Sequence, residues 1–274
     1  MRVIFESYYE QRWTLSRKVQ PIDNNPYWGI VGGERRLSLP GDSSGKSPGR
    51  HAQELVCKKV SRAGEKEVLR DVLIGANSAL RKSYGQISNE VASETSPHLP
   101  AATFIVVKVG KEIDLLYGGG CGGALEFTDG VYWGTDNQMF LHEKRKNEVM
   151  DLLTEKGEYK KGHSDYFLFL SKERKENVNK TYCLLNGQSE FEDTLQEVSL
   201  ESSSVKRIIL FSRDAIPLEW TERQEIMAKK VFETYDEGGL PSLLKASEES
   251  FKKRKPSKYR ILPEATAICL KLVP

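Results

Sequence analysis

The order of local patterns along this chain constrains its fold more than any other feature. Alternating β-branched and aromatic residues fill residues 2–9 and 27–39, which we predict to be strands separated by a polar turn. Apolar residues then recur at helical spacing over residues 51–60 and 65–84. Strand patterns, helical patterns and a last strand over residues 265–272 follow. Because strands and helices occur in groups, the pattern predicts an α+β domain with sheets covered by helices, not a βαβ array.

The remaining patterns fill in this order of elements. We predict strands over 102–109, 112–116 and 208–211, a hairpin at Asp129-Gly130, a strand-like segment over 166–170, and helices over 142–160, 219–234 and 241–251. Gly238-Gly239 is expected to end the helix predicted over 219–234. We find no internal repeat and no low-complexity linker, so we predict a single domain over residues 1–274.

Charge and cysteine usage indicate where such a domain acts. The 41 basic and 39 acidic residues nearly balance, so we expect neither nucleic acid nor an anionic membrane as a partner. No apolar run approaches the ~20 residues that cross a bilayer, and the N-terminus lacks the features of a secretory signal. The four cysteines are widely spaced, which is typical of unpaired thiols in a reducing compartment. We therefore expect a cytoplasmic protein, although a specialised secretion signal would escape this reasoning.

Five segments, taken in order, carry a resemblance to a known family. They are Gln20–Asn24, Leu37–Ser43, Tyr117–Ala124, Ile208–Ala215 and Lys258–Ile268. They resemble, respectively, the Pro-Asn-Glu-Asp turn, the Asp-Gly strand end, the Gly-Asp-Ser/Cys turn, the Ser/Thr-Asp-Gly strand end and the last strand of the metal-dependent serine/threonine phosphatases (protein phosphatase 2C type). The resemblance spans nearly the whole chain. It implies a four-layer α-β-β-α sandwich, with two antiparallel sheets flanked by helices.

The same resemblance implies a metal centre, which this sequence does not preserve. Members of the family use two Mg²⁺ or Mn²⁺ ions, held by aspartates, to activate a bridging water. In this chain the aspartate positions correspond to Asn24, Pro40, Gly120, Arg213 and Pro263. An arginine ~4 Å from a cation is repelled by about 4 kcal/mol per unit charge at an effective dielectric of about 20. We therefore expect no metal cofactor, and we assign no catalytic residue.

A rebuilt metal site is the alternative. Asp23, Asp42, Asp214 and Glu264 each lie one or two positions from an expected ligand, and a shifted register could turn them into the site. The chain would then bind Mn²⁺ or Mg²⁺. Asp residues at turns are more commonly solvated loop residues or helix caps.

Several basic residues could bind an anion instead. Arg17 and Lys18 precede the first turn, much as a phosphate-binding arginine does in the family, yet a surface charge beside a strand is an equal interpretation. Arg213 could bind phosphate or sulfate, or could pair with Asp214 or Glu264, and we favour this neutralisation. The run Lys252–Lys255 is interpreted as a solvated helix end.

A nucleotide-binding loop is a further alternative. The segment Gly41–Ser47 ends in Gly-Lys-Ser, but it has three residues between its glycines where a phosphate-binding loop needs four. Our first hypothesis is a pseudophosphatase that binds a protein partner, phosphorylated or not. An active phosphoserine/phosphothreonine phosphatase with displaced ligands comes second, and a nucleotide-binding protein third. The sequence sets no oligomeric state.

Overall fold

The computed structural model describes residues 2–10, 19–33, 48–83, 100–155, 164–217, 223–253 and 265–273. Ten strands and seven helices lie within these ranges. The strands are β1 (Arg2–Glu10), β2 (Val19–Asn24), β3 (Tyr27–Gly33), β4 (Ala102–Val109), β5 (Glu112–Gly118), β6 (Cys121–Phe127), β7 (Tyr132–Gly134), β8 (Gln196–Glu201), β9 (Val205–Ser212) and β10 (Ala265–Val273). The helices are α1 (Pro48–Val60), α2 (Leu69–Ser83), α3 (Phe140–Glu155), α4 (Ser164–Asn177), α5 (Phe191–Thr194), α6 (Gln224–Gly238) and α7 (Leu240–Lys253).

The strands form two antiparallel sheets of five strands each. Sheet I has the order β1-β10-β9-β6-β7, and sheet II has the order β2-β3-β4-β5-β8. The hairpin between β5 and β6 passes from one sheet to the other through Gly119-Gly120. The α+β class with two antiparallel sheets, expected from the sequence, is confirmed.

A continuous apolar layer lies between the two sheets. Sheet II contributes Ile105 and Leu115, and sheet I contributes Ile208, Leu210 and Ile268, all of which are fully buried. Alternate residues of each strand point to opposite faces of a sheet. This inner layer therefore uses one face of each sheet and leaves the other face for helices.

Helices cover both outer faces. On sheet II, α1 and α2 bury Val56, Leu73 and Leu80 against the outward side chains of β3 and β4. On sheet I, α6 and α7 bury Val231 and Leu243 in the same way. The layers are helices, sheet II, sheet I and helices, which is the four-layer sandwich that the resemblance implied.

Most predicted elements are present, but three differ from the prediction. Residues 20–24, expected to form a turn, belong to the edge strand β2, and the turn is confined to Asn25-Pro26. Residues 166–170, expected to be strand-like, lie in α4, since a short apolar run does not distinguish a strand from a helix. The edge strand β8 was not predicted.

The helices and the cysteines bear on two predictions, the absence of a membrane span and the absence of disulfides. None of the helices in the described ranges is long and apolar enough to cross a membrane. All four cysteines, Cys57, Cys121, Cys183 and Cys269, are buried thiols outside any disulfide. The predicted unpaired thiols are therefore confirmed.

Candidate functional site

The candidate site lies at the edge of the sandwich where β5 crosses into β6. In sheet II, Thr103 lies opposite Gly32, and the Thr103 hydroxyl donates to the Gly32 carbonyl at 3.3 Å. In sheet I, Cys121 lies opposite Ser212. Thr103 Oγ1 and Cys121 Sγ are 3.4 Å apart, so they join the two sheets at this edge. We call this edge the crossover end.

Gly120 and Arg213 lie side by side at the crossover end of sheet I. The register that pairs Cys121 with Ser212 brings Gly120 beside Arg213. A Cβ placed on Gly120 would lie 3.4 Å from Arg213 Cβ and 3.7 Å from Met139 Sδ. Two of the five positions where the resemblance implied metal-binding aspartates are therefore neighbours, and the side chain of Arg213 packs against Gly120.

Arg213 forms the expected ion pair with its neighbour. Arg213 Nε donates to Asp214 Oδ1 at 3.2 Å, and the two side chains are only 19% and 16% exposed. Both residues belong to a single 3-10 turn, Arg213–Ala215, that follows β9. The Ser247 hydroxyl on α7 donates to the Asp214 carbonyl at 2.8 Å, which ties this turn to the helical layer.

The structure does not bring Asp23 and Asn24 to the crossover end. Asp23 lies opposite Trp28, which lies opposite Val107, four residues along β4 from Thr103. Four strand residues span about 13 Å. The Asn24 amide instead donates to the Ser61 carbonyl, just after α1, at 2.7 Å.

This placement corrects the assignment of the first motif. The segment that contains Asp23 and Asn24 is a strand, not a turn beside Arg213. It starts near the crossover end of sheet II and runs to the opposite end, where Asp23 and Asn24 lie. Asp23 and Asp214, both proposed as displaced ligands, therefore do not share one site.

A cleft of about 260 Å³ opens beside Arg213. Its lining combines β6, the segment after β7, the turn after β9 and the start of α6. The lining residues are Gly120, Cys121, Gly122, Thr135, Asp136, Asn137, Phe211, Arg213, Ile216, Pro217, Arg223, Gln224 and Met227. We call it the Arg213 cleft.

Polar groups on one side of the cleft are held by short-range contacts. The Gly123 amide donates to Thr135 Oγ1 at 2.9 Å, and the Met139 amide donates to Asn137 Oδ1 at 3.2 Å. Burial, and then the nearby Asp136 carboxylate, raise the pKa of the Tyr117 phenol above its usual range. The phenol therefore stays neutral and protonated beside the cleft at neutral pH.

Thr266 and Ser212 lie at the same crossover end of the sheets. The Thr266 amide donates to Ser212 Oγ at 3.0 Å. The Thr266 hydroxyl is buried and has no hydrogen-bond partner among the residues that the structure describes. A buried hydroxyl without a partner costs stability, typically about 1–3 kcal/mol, and such groups concentrate at functional sites.

The described residues of the cleft do not fit a pair of divalent cations. Hard cations need several oxygen ligands, preferably carboxylates. The lining includes one carboxylate, Asp136, together with the guanidinium groups of Arg213 and Arg223. Across the ranges that the structure describes, no group of three or more His, Cys, Asp or Glu residues could hold a metal ion.

Several sequence-based site residues lie outside the described ranges. They are Arg17, Lys18, Pro40, Asp42, Pro263 and Glu264, together with the glycine-rich segment Gly41–Ser47. Their assignments stay predictions. Sequence reasoning in turn missed Asp136, Asn137 and Arg223. The only signal for the first two was a run of polar residues after a strand, and Arg223 had none.

Comparisons with known proteins identify the fold through structure alone. The sequence matches no family model and no curated protein. The catalytic domain of the serine/threonine protein phosphatase PstP, in complex with two manganese ions, is 13% identical, with 99% of each chain covered and a TM-score of 0.55. A bacterial serine phosphatase is 12% identical over 99% of this chain and 97% of that chain, with a TM-score of 0.54.

A third match points the same way. PppA, a regulatory component of the type VI secretion system of Pseudomonas aeruginosa, is 13% identical over 99% of this chain and 98% of its own, with a TM-score of 0.50. The chain thus has the fold of the metal-dependent serine/threonine phosphatases of the protein phosphatase 2C type. At such low identity the likeness extends to the fold and not to the chemistry.

Proposed function

We propose that this chain is a non-catalytic domain with a phosphatase fold that acts by binding a protein partner, phosphorylated or not. The observation that carries the proposal is the position of Arg213. Its side chain follows β9 at the crossover end, in contact with the position of Gly120. The resemblance implies a metal-binding aspartate at each of these two positions.

Electrostatics favour this interpretation over a weakened metal site. Loss of a carboxylate removes a ligand, whereas an arginine also adds a positive charge. At ~4 Å and an effective dielectric of about 20, that charge repels each unit of cation charge by about 4 kcal/mol. The Arg213–Asp214 ion pair further engages a carboxylate that could otherwise serve as a ligand.

The Arg213 cleft supports a binding role. It has an apolar floor, with Phe211 only 4%, Ile216 8% and Met227 6% exposed. Polar and charged side chains lie around this floor, which is the usual composition of a specific binding site. We also propose a cytoplasmic location, supported by four buried thiols that form no disulfide.

An active metal-dependent phosphatase is the second candidate. Asp136 lines the same cleft as Arg213, so one carboxylate is available there. Two of the matched structures, PstP and the bacterial serine phosphatase, are phosphatases, and the PstP structure contains two manganese ions. For this candidate, Mn²⁺ or Mg²⁺ would be the cofactor, and Asp42 and Glu264 could supply further oxygen ligands.

A turnover assay separates these candidates. The full chain is incubated with phosphoserine and phosphothreonine peptides and Mn²⁺ or Mg²⁺, beside the variants Asp136→Ala and Asp214→Ala. We expect hydrolysis at the rate of the buffer alone. Metal-dependent turnover that either substitution abolishes would reject the non-catalytic proposal in favour of the second candidate.

A capture experiment tests the binding role itself. The full chain, Arg213→Asp and the matched control Arg62→Asp are used as baits in native lysate. Arg62 is exposed just after α1, remote from the cleft lining. We expect a partner that the full chain and Arg62→Asp retain and that Arg213→Asp loses. Equal capture by all three would reject the cleft as the binding site.

A further inference from the structure

We propose that the Arg213 cleft recognises an aromatic ring that carries a doubly charged phosphoryl group, as in a phosphotyrosine side chain of a protein partner. This inference rests on the proposed function, because it names the group that the same cleft would bind. It goes beyond that function by assigning a ligand chemistry.

The size of the cleft sets the first limit. At about 260 Å³ it is slightly smaller than the pockets that hold drug-sized ligands, which are roughly 300–1,000 Å³. It therefore has room for a single side chain or a small aromatic molecule, and not for a dinucleotide or a folded segment.

The floor of the cleft favours a ring. Phe211 and Met227 both line it, and a ring can pack against an aromatic face and against a methionine thioether. Gly122 lies beside the same ring, since a Cβ there would lie 2.7 Å from Phe211 Cε2. Any larger residue at this position would meet the Phe211 ring, so Gly122 lets that ring lie against β6 at the cleft.

The guanidinium donors around the cleft favour a group with several acceptor oxygens. Two guanidinium groups, from Arg213 and Arg223, line the cleft together with one carboxylate, Asp136. Guanidinium groups can donate to two phosphoryl oxygens at once. Asp136 and Asp214 offset the two arginines in formal charge, and both attraction and repulsion scale with the charge of the ligand, so a phosphoryl group is distinguished by its acceptor oxygens and not by charge alone. A group with two charges and three acceptor oxygens can interact with both arginines.

The start of α6 adds to the attraction. Arg223 is the N-cap residue of this 15-residue helix, and its own side chain makes no capping hydrogen bond to the described residues. The first amides of a helix carry a partial positive charge that stabilises a nearby anion. Arg223 and Gln224 lie on the cleft, so this end of the helix faces the same space as both guanidinium groups.

Phenylphosphonate is a suitable probe, because it combines a ring with a phosphoryl-like dianion and resists hydrolysis. It is titrated calorimetrically into the full chain, beside inorganic phosphate, which lacks the ring, and benzyl alcohol, which lacks the charge. We expect one-site binding of phenylphosphonate that is at least about tenfold tighter than either comparison ligand. Equal binding of phosphate would overturn the role of the ring, and equal binding of benzyl alcohol would overturn the role of the charge.

Variants test the residues. Arg213→Gln and Arg223→Gln are each expected to weaken phenylphosphonate binding by about tenfold, since one charge-assisted hydrogen bond contributes about that factor. Arg62→Gln, an exposed control away from the cleft, should bind like the parent. Arg223 is exposed, so its variant should fold normally. Unchanged binding in both cleft variants would overturn the proposal.

The source of the ligand is tested with peptides. A phosphotyrosine peptide should bind at least about tenfold tighter than the same peptide with phosphoserine, because only the former offers a ring to the floor. The reverse order would contradict the inference. Failure here, with partner capture still dependent on Arg213, would reject the ligand chemistry and leave the binding function intact. Metal-dependent turnover would reject the non-catalytic binding function, whereas the phenylphosphonate titration would still report separately on the ligand chemistry.

Discussion

At the scale of single residues, burial decides how two cysteines respond to pH. Cys57 and Cys183 pack in the core between sheet II and its helices. Burial, as the largest cause, raises the pKa of each thiol from 9.0 to about 12. Both thiols are therefore protonated in the folded chain at pH values where the unfolded chain ionises them.

This difference in pKa predicts a loss of stability at alkaline pH. A pKa raised on folding gives stability that is complete below pH 9.0 and lost as the pH rises towards about 12. Within that window each thiol lowers the free energy of unfolding by up to about 1.4 kcal/mol per pH unit. We expect urea unfolding of Cys57→Ala to depend less steeply on pH than that of the parent chain. Parallel curves over the whole window would contradict this account.

Arg207 is expected to contribute strongly to the stability of the fold. Its guanidinium group donates to Glu126 and Asp236, and its Cζ lies 4.9 Å from the Phe232 ring centroid. The hydrogen bond to Asp236 is the largest cause that raises the Arg207 pKa. Glu126 is only 7% exposed at its side chain, so it depends on its cationic partners.

Removal of Arg207 should therefore destabilise the fold. We expect Arg207→Met to lower the free energy of unfolding by about 3 kcal/mol, because it leaves a buried carboxylate with Lys206 as its remaining basic partner. The control Arg70→Met breaks an exposed pair with Glu197 and should cost less than about 1 kcal/mol. Chemical denaturation of both variants measures the difference. Equal losses would show that burial of the Glu126 pair carries no special weight.

At the scale of elements, one buried amide joins α2 to a loop beside sheet II. Asn77 Oδ1 accepts the amides of Asn186 and Gly187 at 3.1 and 2.7 Å, and Asn77 Nδ2 donates to the Gln188 carbonyl at 2.7 Å. The Leu185 amide and carbonyl then pair with Ala102 at the start of β4. The Asn77 side chain thus holds the loop 185–188 beside the start of β4, next to the crossover end.

Truncation of Asn77 should loosen that loop. We expect Asn77→Ala to cost about 3 kcal/mol, because it leaves two backbone amides without their partner. Asn24→Ala is the matched control, since it removes a single bond from a more exposed amide and should cost under about 1 kcal/mol. Thermal denaturation, with hydrogen exchange of the Gly187 amide, reports both effects. Unchanged protection of Gly187 in Asn77→Ala would contradict the assigned contact.

The contact between Gly120 and Arg213 allows the metal positions to be tested by gain of function. A Cβ on Gly120 would lie 3.4 Å from Arg213 Cβ, and the backbone of Gly120 is not in the left-handed region. Gly120→Asp combined with Arg213→Asp would thus place two carboxylates face to face. We expect the double variant to bind Mn²⁺ measurably in calorimetry, since paired carboxylates favour hard cations.

A control separates site formation from added charge. Gly110→Asp combined with Arg62→Asp introduces the same charges, and a Cβ on Gly110 has only a 3.7 Å neighbour. It should not bind Mn²⁺ more tightly than the parent. Equal gains in both double variants would reject the assignment of Gly120 and Arg213 as former metal positions.

How far the sequence could predict these elements depended on how they are buried. The buried strands β4 and β9 have continuous apolar runs, and their positions were predicted. The two edge strands of sheet II were not: β2 contains Pro21 and resembles a turn, and β8 alternates exposed with half-buried residues. Misreading β2 as a turn then placed Asp23 at the wrong end of the sandwich.

The candidate site was predictable in part for a related reason. Gly120 and Arg213 follow strands that the pattern located correctly, so their positions could be assigned. Asp136 and Arg223 join the cleft only because β7 and α6 pack together on sheet I. That packing depends on contacts distant in sequence, which local patterns do not encode.

At the scale of the whole molecule, the inner apolar layer fixes the relative position of the two sheet ends. Ile105 from sheet II and Leu210 from sheet I belong to one buried layer, and the crossover at Gly119-Gly120 joins the sheets covalently. The chain therefore keeps the sheet arrangement of the phosphatase fold. We propose that the side chain presented at its end is what differs, since one fold can carry different functions in this way.

The central claim is that this sheet arrangement presents a guanidinium group where metal ions would bind. The most direct test is a crystal of the full chain soaked in Mn²⁺ and measured for anomalous scattering at the manganese absorption edge. We expect no anomalous peak within coordination distance of the Arg213 cleft. Two peaks between the ends of the sheets, each surrounded by oxygen ligands, would contradict the account and identify a metal-dependent phosphatase.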